Sequence, residues 1–144
     1  LRFTSMSDDD FAETVNNTIC FNNKAMRNSK ITNQNLNADN QLAATDFTGI
    51  AVHEMGHIIS RTYGEKGLDI AKQAYYNIFK EEITTDDVLK YLSISISKYS
   101  VDFSEMSKKP KYKEITPEVL SKSNSASSSD FADEFVKLLK EACL

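Results

Sequence analysis

Apolar and polar positions alternate from Thr14 to Phe21, with Val15, Asn17, Ile19 and Phe21 on one side, so a strand of a small sheet is predicted over 14–21. Further along, the period becomes helical. A helix is predicted to start near Asp46 or Thr48, either of which can cap it, and to end before Gly64. Its core face is expected to hold Ala51, Met55, Ile58 and Ile59, leaving His53, Glu54 and His57 toward a cleft. After Gly67, the apolar residues Ile70, Ala71, Ala74, Tyr75, Ile78 and Phe79 predict a second helix over about 68–81, and this stripe reads as core. Thr84-Thr85-Asp86-Asp87 opens a third helix, running into Val88, Leu89 and Leu92. The alternation Ser93 to Ser97 fits either a strand or the tail of that helix. A last helix, about 128–142, carries Phe131, Phe135, Leu138 and Leu139 in one stripe.

Between these runs the chain reads as connection. Asn22 to Asn40 is Asn-rich, including Asn28, Asn33, Asn35 and Asn37, and Asn favours turns and caps, so a loop is expected. Residues 1–12, with Asp8-Asp9-Asp10, read as a helix cap or a frayed end. The segment 97–130 is rich in Ser, Lys and Pro, and Ser121 to Ser129 reads as a loop. No internal repeat or domain boundary is visible. The expected class is α+β: one domain over 1–144, with a small mixed sheet, an active-site helix and a C-terminal helical part.

Composition narrows the partners. A formal charge of −4 and a pI near 5.2 argue against nucleic acid, and Lys108-Lys109-Pro110-Lys111 is short enough to be a solvated loop. No apolar run approaches the ~20 residues of a membrane span. Cys20 and Cys143 lack metal-type spacing and are expected to be free thiols, Cys20 on a strand. The chain opens with Leu1, so it is expected to be a piece or mature form of a longer protein. Abundant Asn, Lys, Ile and Ser suggest an AT-rich bacterial or phage genome, with a secreted or virion-associated setting open.

The chemistry lies in His53-Glu54-Met55-Gly56-His57, which holds both histidines of the chain. Residues four apart share a helix face, so the two imidazoles can bind one metal ion, and Glu54 can reach a water on it. Zinc takes neutral nitrogen ligands and keeps one position open in catalytic sites; the glutamate then serves as general base. The pattern arises by chance in roughly one protein of this length in a few hundred. Its apolar flanks, Val52, Met55, Ile58 and Ile59, place it on a buried helix, and Gly56 fits as the small residue before the second histidine. A helix with two unrelated histidines is the plainer alternative.

A catalytic zinc wants a third protein ligand. With no third histidine and no cysteine pair, a carboxylate downstream is required. The candidates are Glu105, Glu114, Glu118, Asp130, Asp133 and Glu134.

The order of features resembles the lethal-factor-like zincins, found in toxin metalloproteases and phage minor head proteins. These show a strand ending in Asn, a His-Glu-x-Gly-His helix, a Ser-x-Tyr-small segment, and a helix opening with a metal-binding Glu. Here stand Ile19-Cys20-Phe21-Asn22, then His53 to His57, then Ile96-Ser97-Lys98-Tyr99-Ser100, then Ile115-Thr116-Pro117-Glu118-Val119-Leu120-Ser121. The resemblance spans about 14–140, and only its His-Glu-x-x-His part is highly specific. It implies Glu118 as third ligand, Tyr99 as an oxyanion-stabilising phenol, and an edge strand at 14–21 that pairs with extended substrate. Thr116 can cap the Glu118 helix, and Pro117 and an acid suit its first turn. Two departures stand out. Lys122 replaces a second glutamate usual in the family helix, and the span from Tyr99 to Glu118 is longer than usual. The rival alignment uses Asp130-Phe131-Ala132-Asp133-Glu134-Phe135, with Ser129 at the ligand position and Asp130 or Glu134 serving instead.

The sequence thus reads as a zinc-dependent metallopeptidase of gluzincin type with one Zn2+ per chain, acting on a protein or peptide. His53, His57 and Glu118 would hold the metal, Glu54 would act as base and Tyr99 would assist. The alternative is a phage-type structural or accessory domain that keeps the zinc site with little or no peptidase activity.

Overall fold

The computed structural model describes residues 1–7, 10–38, 41–101 and 112–143. The candidate ligand Glu105, the acids Asp8 and Asp9, and the basic run Lys108 to Lys111 lie outside them. Among the described residues the fold is α+β and mostly helical, with seven α-helices and a three-stranded sheet. None of these helices is long and apolar enough to cross a membrane.

The sheet holds β1 (Arg2–Thr4), β2 (Ala12–Val15) and β3 (Thr18–Asn22) in the order β1-β3-β2. β1 runs parallel to β3 and β2 antiparallel, so the sheet is mixed and β2 is an edge. Two expectations are corrected here. The predicted strand 14–21 is a hairpin, turning at Asn16-Asn17 with Asn16 in the left-handed region (φ 55°). The N-terminal residues, read as a cap or frayed end, form β1.

The Asn-rich stretch is also no loop. It forms α1 (Asn23–Arg27) and α2 (Ser29–Ala38). Asn22 caps α1 with its side-chain oxygen on the Lys24 amide (3.0 Å) and donates to the Ser7 and Asp10 carbonyls (2.9 and 2.7 Å). Leu36 is buried against Phe21, Ala44 and Ile50, so packing overrides the weak helix propensity of Asn.

The motif helix α3 (Phe47–Tyr63) starts as predicted. The Asp46 carboxylate accepts from the Gly49 amide (2.8 Å), and Gly64 ends the helix at positive φ (86°). α4 (Gly67–Phe79), α5 (Thr85–Ser95, capped by Thr84) and α7 (Asp130–Cys143) fall close to their predicted spans. Ser93 to Ser95 belong to the α5 tail. α6 (Ile115–Ser123) runs through the front of the expected serine loop. A core of Ile70, Ala74, Val88, Leu92, Val119, Phe131 and Phe135 joins α4 to α7. Cys20, on β3, and Cys143 are free thiols.

The orientation of α3 departs from the predicted one. Its fully covered face holds Gly49, Ile50, His53, Glu54, Gly56 and Ser60, whereas Met55 is 52% exposed. Helix α6 and strand β2 pack onto the motif side, so the polar motif itself faces the interior.

Candidate metal centre

α3 and α6 approach closely where Gly56 meets Pro117. A Cβ at Gly56 would lie 2.6 Å from Pro117 Cα, inside any permitted contact. The glycine of the motif therefore sets how near α6 can come. Pro117 lies in the first turn of α6, where its missing N–H leaves no helix bond unmade. The Ser121 hydroxyl, one turn on, donates to the Gly49 carbonyl (3.1 Å) and fixes the helices in register.

This approach brings Glu114 and Glu118 to the two histidines, and their roles differ. Glu118 is wholly buried and sits on the far side of the His53 ring: Nδ1–H donates to its Oε1 at 2.6 Å. Its other oxygen accepts from Ser97 Oγ (2.5 Å) and the Ala43 amide (2.7 Å). Ser97 is itself held by Ser100, whose amide donates to Ser97 Oγ (3.0 Å) and whose hydroxyl donates to the Ser97 carbonyl (2.6 Å). A carboxylate accepting from Nδ1–H fixes the tautomer that leaves Nε2 as the ligand nitrogen.

Glu114, the residue that opens α6, occupies the Nε2 side. Its Oε2 lies 3.3 Å from His53 Nε2 and 3.4 Å from His57 Nε2. That oxygen is buried yet has no hydrogen-bond partner among the described residues. His53, His57 and Glu114 are the group of potential ligands that the structure draws together. The sequence reading put Glu118 in the ligand position; the group of potential ligands drawn together here contains Glu114, and Glu118 lies behind His53. α6 begins at Ile115, two residues before the Pro117 start read from the sequence, with Glu114 as its N-cap residue. The rival α7 acids lie elsewhere. Glu134 accepts from Asn77 (2.7 Å), Asp133 from Ser123 and Ser128 (3.0 and 2.7 Å), and Asp130 is exposed.

The ionisable groups are tightly coupled. Burial alone would lower the His53 imidazole, but the carboxylates of Glu114 and Glu118 outweigh it and raise its pKa from 6.5 to about 9. Burial would raise Glu114, but the two imidazoles beside it hold it down from 4.5 to about 2.

Donor spacing tests whether a metal fits. Bonds of ~2.0–2.1 Å to a tetrahedral zinc put neighbouring ligand atoms about 3.3–3.4 Å apart. The two contacts of Glu114 Oε2 have that spacing, and the atom between them is a buried acceptor lacking a hydrogen bond. Two imidazoles and one carboxylate also form a known donor set for catalytic zinc. Two of the three donor spacings suit such an ion, and His53, His57 and Glu114 form a possible metal-binding group.

Glu54 is buried and points toward β2, where its Oε2 accepts from the Thr14 hydroxyl. With His53 and Tyr99 it lines a cleft of about 290 Å3, whose other walls include Phe11, Ala12, Leu42 and Ile50. Tyr99 opens a short 3-10 turn (Tyr99–Val101), and its ring centre lies 6.0 Å from that of His53. The expected base and phenol thus share one cleft with the first histidine. Comparison with protein-family models, with curated proteins and with solved structures finds no match to this chain.

Proposed function

We propose that the domain is a zinc-dependent metallopeptidase of zincin type. The observation that carries this reading is the buried, unbonded Glu114 Oε2, held at ligand spacing from the Nε2 atoms of His53 and His57. When bound, zinc would lower the pKa of a water toward ~7 and polarise the substrate carbonyl. His53, His57 and Glu114 would hold it. Glu118 orients His53 by accepting from Nδ1–H, and Ser97 and Ala43 orient Glu118 in turn. Glu54, beside His53, takes the proton of the attacking water and passes it to the leaving amine. Tyr99 offers a phenol to the oxyanion as it develops. The edge strand β2, which forms a wall of the same cleft, can pair with an extended peptide through its main chain.

The same two-histidine, one-carboxylate set also suits Fe(II). The presence of Glu54 in the cleft favours hydrolysis, and it favours an enzyme over a purely structural zinc domain. A broad peptide library incubated with the zinc-loaded wild type is the direct assay. Glu54→Gln keeps the shape and should cut turnover by ~10²-fold or more, with zinc retained. Equal cleavage by wild type and Glu54→Gln would assign the activity to a contaminant and leave the structural module as the better reading.

A further inference from the structure

Strand β2 does more than border the cleft. The Asn22 amide donates to the Phe11 carbonyl (2.9 Å), which makes Phe11–Asn22 a bonded pair. Counting along the antiparallel register, Glu13–Cys20 and Val15–Thr18 are bonded too, so Ala12 and Thr14 turn their main chains toward the open edge. The Thr14 carbonyl there accepts from Arg61, so an added peptide strand would meet the Ala12 groups and the Thr14 amide. The Thr14 side chain faces the opposite way in function: its hydroxyl donates to Glu54 Oε2 and lies 3.2 Å from the Glu54 carbonyl oxygen. A hydroxyl has one proton, and the carboxylate is the stronger acceptor. That bond anchors one oxygen of the Glu54 carboxylate to β2.

The anchor is itself fixed to α3. Arg61 donates to the Thr14 carbonyl (3.2 Å) and the Asn16 carbonyl (2.7 Å), pinning the hairpin to the helix that carries the motif.

We propose that Thr14 is a positioning residue for Glu54, joining the peptide-pairing edge of β2 to the general base through one side chain. This rests on the peptidase reading above. A peptide bonded to the Thr14 amide sits on the same residue that aims the base, so docking and base orientation share a single rigid point. The hydroxyl is the essential part, since removing it frees the carboxylate to rotate while leaving the main-chain edge unchanged.

The test compares Thr14→Val, which keeps the shape without the hydroxyl, with Thr14→Ser, which keeps the hydroxyl. Zinc content and peptide cleavage are measured for each. Thr14→Val should retain zinc and KM within about twofold while kcat falls roughly 10- to 100-fold, the cost of a misplaced reacting group. Thr14→Ser should restore most of kcat. A second readout needs neither substrate nor metal: thermal melting of the metal-free protein in a double-mutant cycle with Glu54→Ala. Thr14→Val should lower Tm by about 3–6 °C alone and by far less beside Glu54→Ala. If wild type is active and Thr14→Val keeps full kcat, or if the two melting effects simply add, the inference is overturned. If zinc-loaded wild type cleaves nothing, the peptidase reading falls first and takes the inference with it.

Discussion

Glu118→Gln separates a residue that holds the metal from one that holds the ligand. The Glu118 carboxylate is fully buried and receives three donors: His53 Nδ1–H, Ser97 Oγ–H and the Ala43 amide. Glutamine has one acceptor oxygen and one NH2. If the oxygen serves Ser97 and Ala43, the NH2 faces His53 Nδ1. The imidazole must then shift its proton to Nε2, the atom aimed at Glu114, and lose its place as a zinc ligand. If the amide flips, Ser97 and Ala43 lose their acceptor instead. Either way one or two buried donors go unpaired, at about 1–3 kcal/mol each. Thermal melting of the metal-free variant should drop by several degrees, roughly 3–10 °C. Zinc affinity, read by competition with a chromophoric chelator, should fall ~10- to 100-fold, as for other groups that orient metal-bound histidines. Glu114→Gln removes a ligand and should weaken zinc more than that. The reasoning is refuted if Glu118→Gln abolishes binding while Glu114→Gln keeps it within a few-fold. Glu118 would then be the ligand itself, as the sequence alone suggested.

Gly56→Ala places a methyl against the Pro117 backbone, so α6 must move away, carrying Glu114 and Glu118 with it. A loss of about 1–3 kcal/mol of stability with a parallel loss of zinc affinity is expected, and unchanged affinity would count against the close approach. The metal-free protein should be most stable between about pH 4.5 and 6.5. His53, raised to about 9, contributes stability that is lost as pH climbs from 6.5 through 9; Glu114, lowered to about 2, contributes stability that is lost as pH falls from 4.5 through 2. Denaturant melts across pH check this, and stability that rises from 6.5 to 9 would contradict it. Zinc displaces the His53 proton, so binding at pH 7 should release about one proton per ion, seen by calorimetry in buffers of different ionisation enthalpy.

Much of the helical part was legible because local rules and packing agree there. The Asp46 and Thr84 caps, the α4 stripe and the α7 stripe each combine a start signal with a periodic apolar face. The sheet was harder. Residues 14–21 alternate as one strand would, and only the Asn16-Asn17 pair signals the turn that divides them. Helix α2 follows no propensity rule; buried Leu36 against Phe21 and Ile50 decides it, and such contacts are invisible in a local window. Met55 reads as core by type, yet α6 covers the other side of α3.

The histidines and Glu54 were legible because their chemistry is compressed into one helical turn. The place of Glu114 beside the two histidines was not. Thr116-Pro117 is a strong helix-start signal, and it placed the helix start two residues late. A signal did exist: Glu114 and Glu118 are four apart, as His53 and His57 are, so each pair can share a face. On the proposed zincin reading, an alignment at Glu114 would shorten the span after Tyr99 and put Glu118, rather than Lys122, at the second glutamate.

The most direct measurement is the metal content of the purified protein by mass spectrometry, before and after chelator and after reloading. The account predicts one zinc per chain, removed by chelator, restored by zinc, and absent in His53→Ala, His57→Ala and Glu114→Ala. A protein that cannot be loaded with zinc, one that carries stoichiometric iron instead, or a Glu114→Ala variant that keeps its zinc would contradict it.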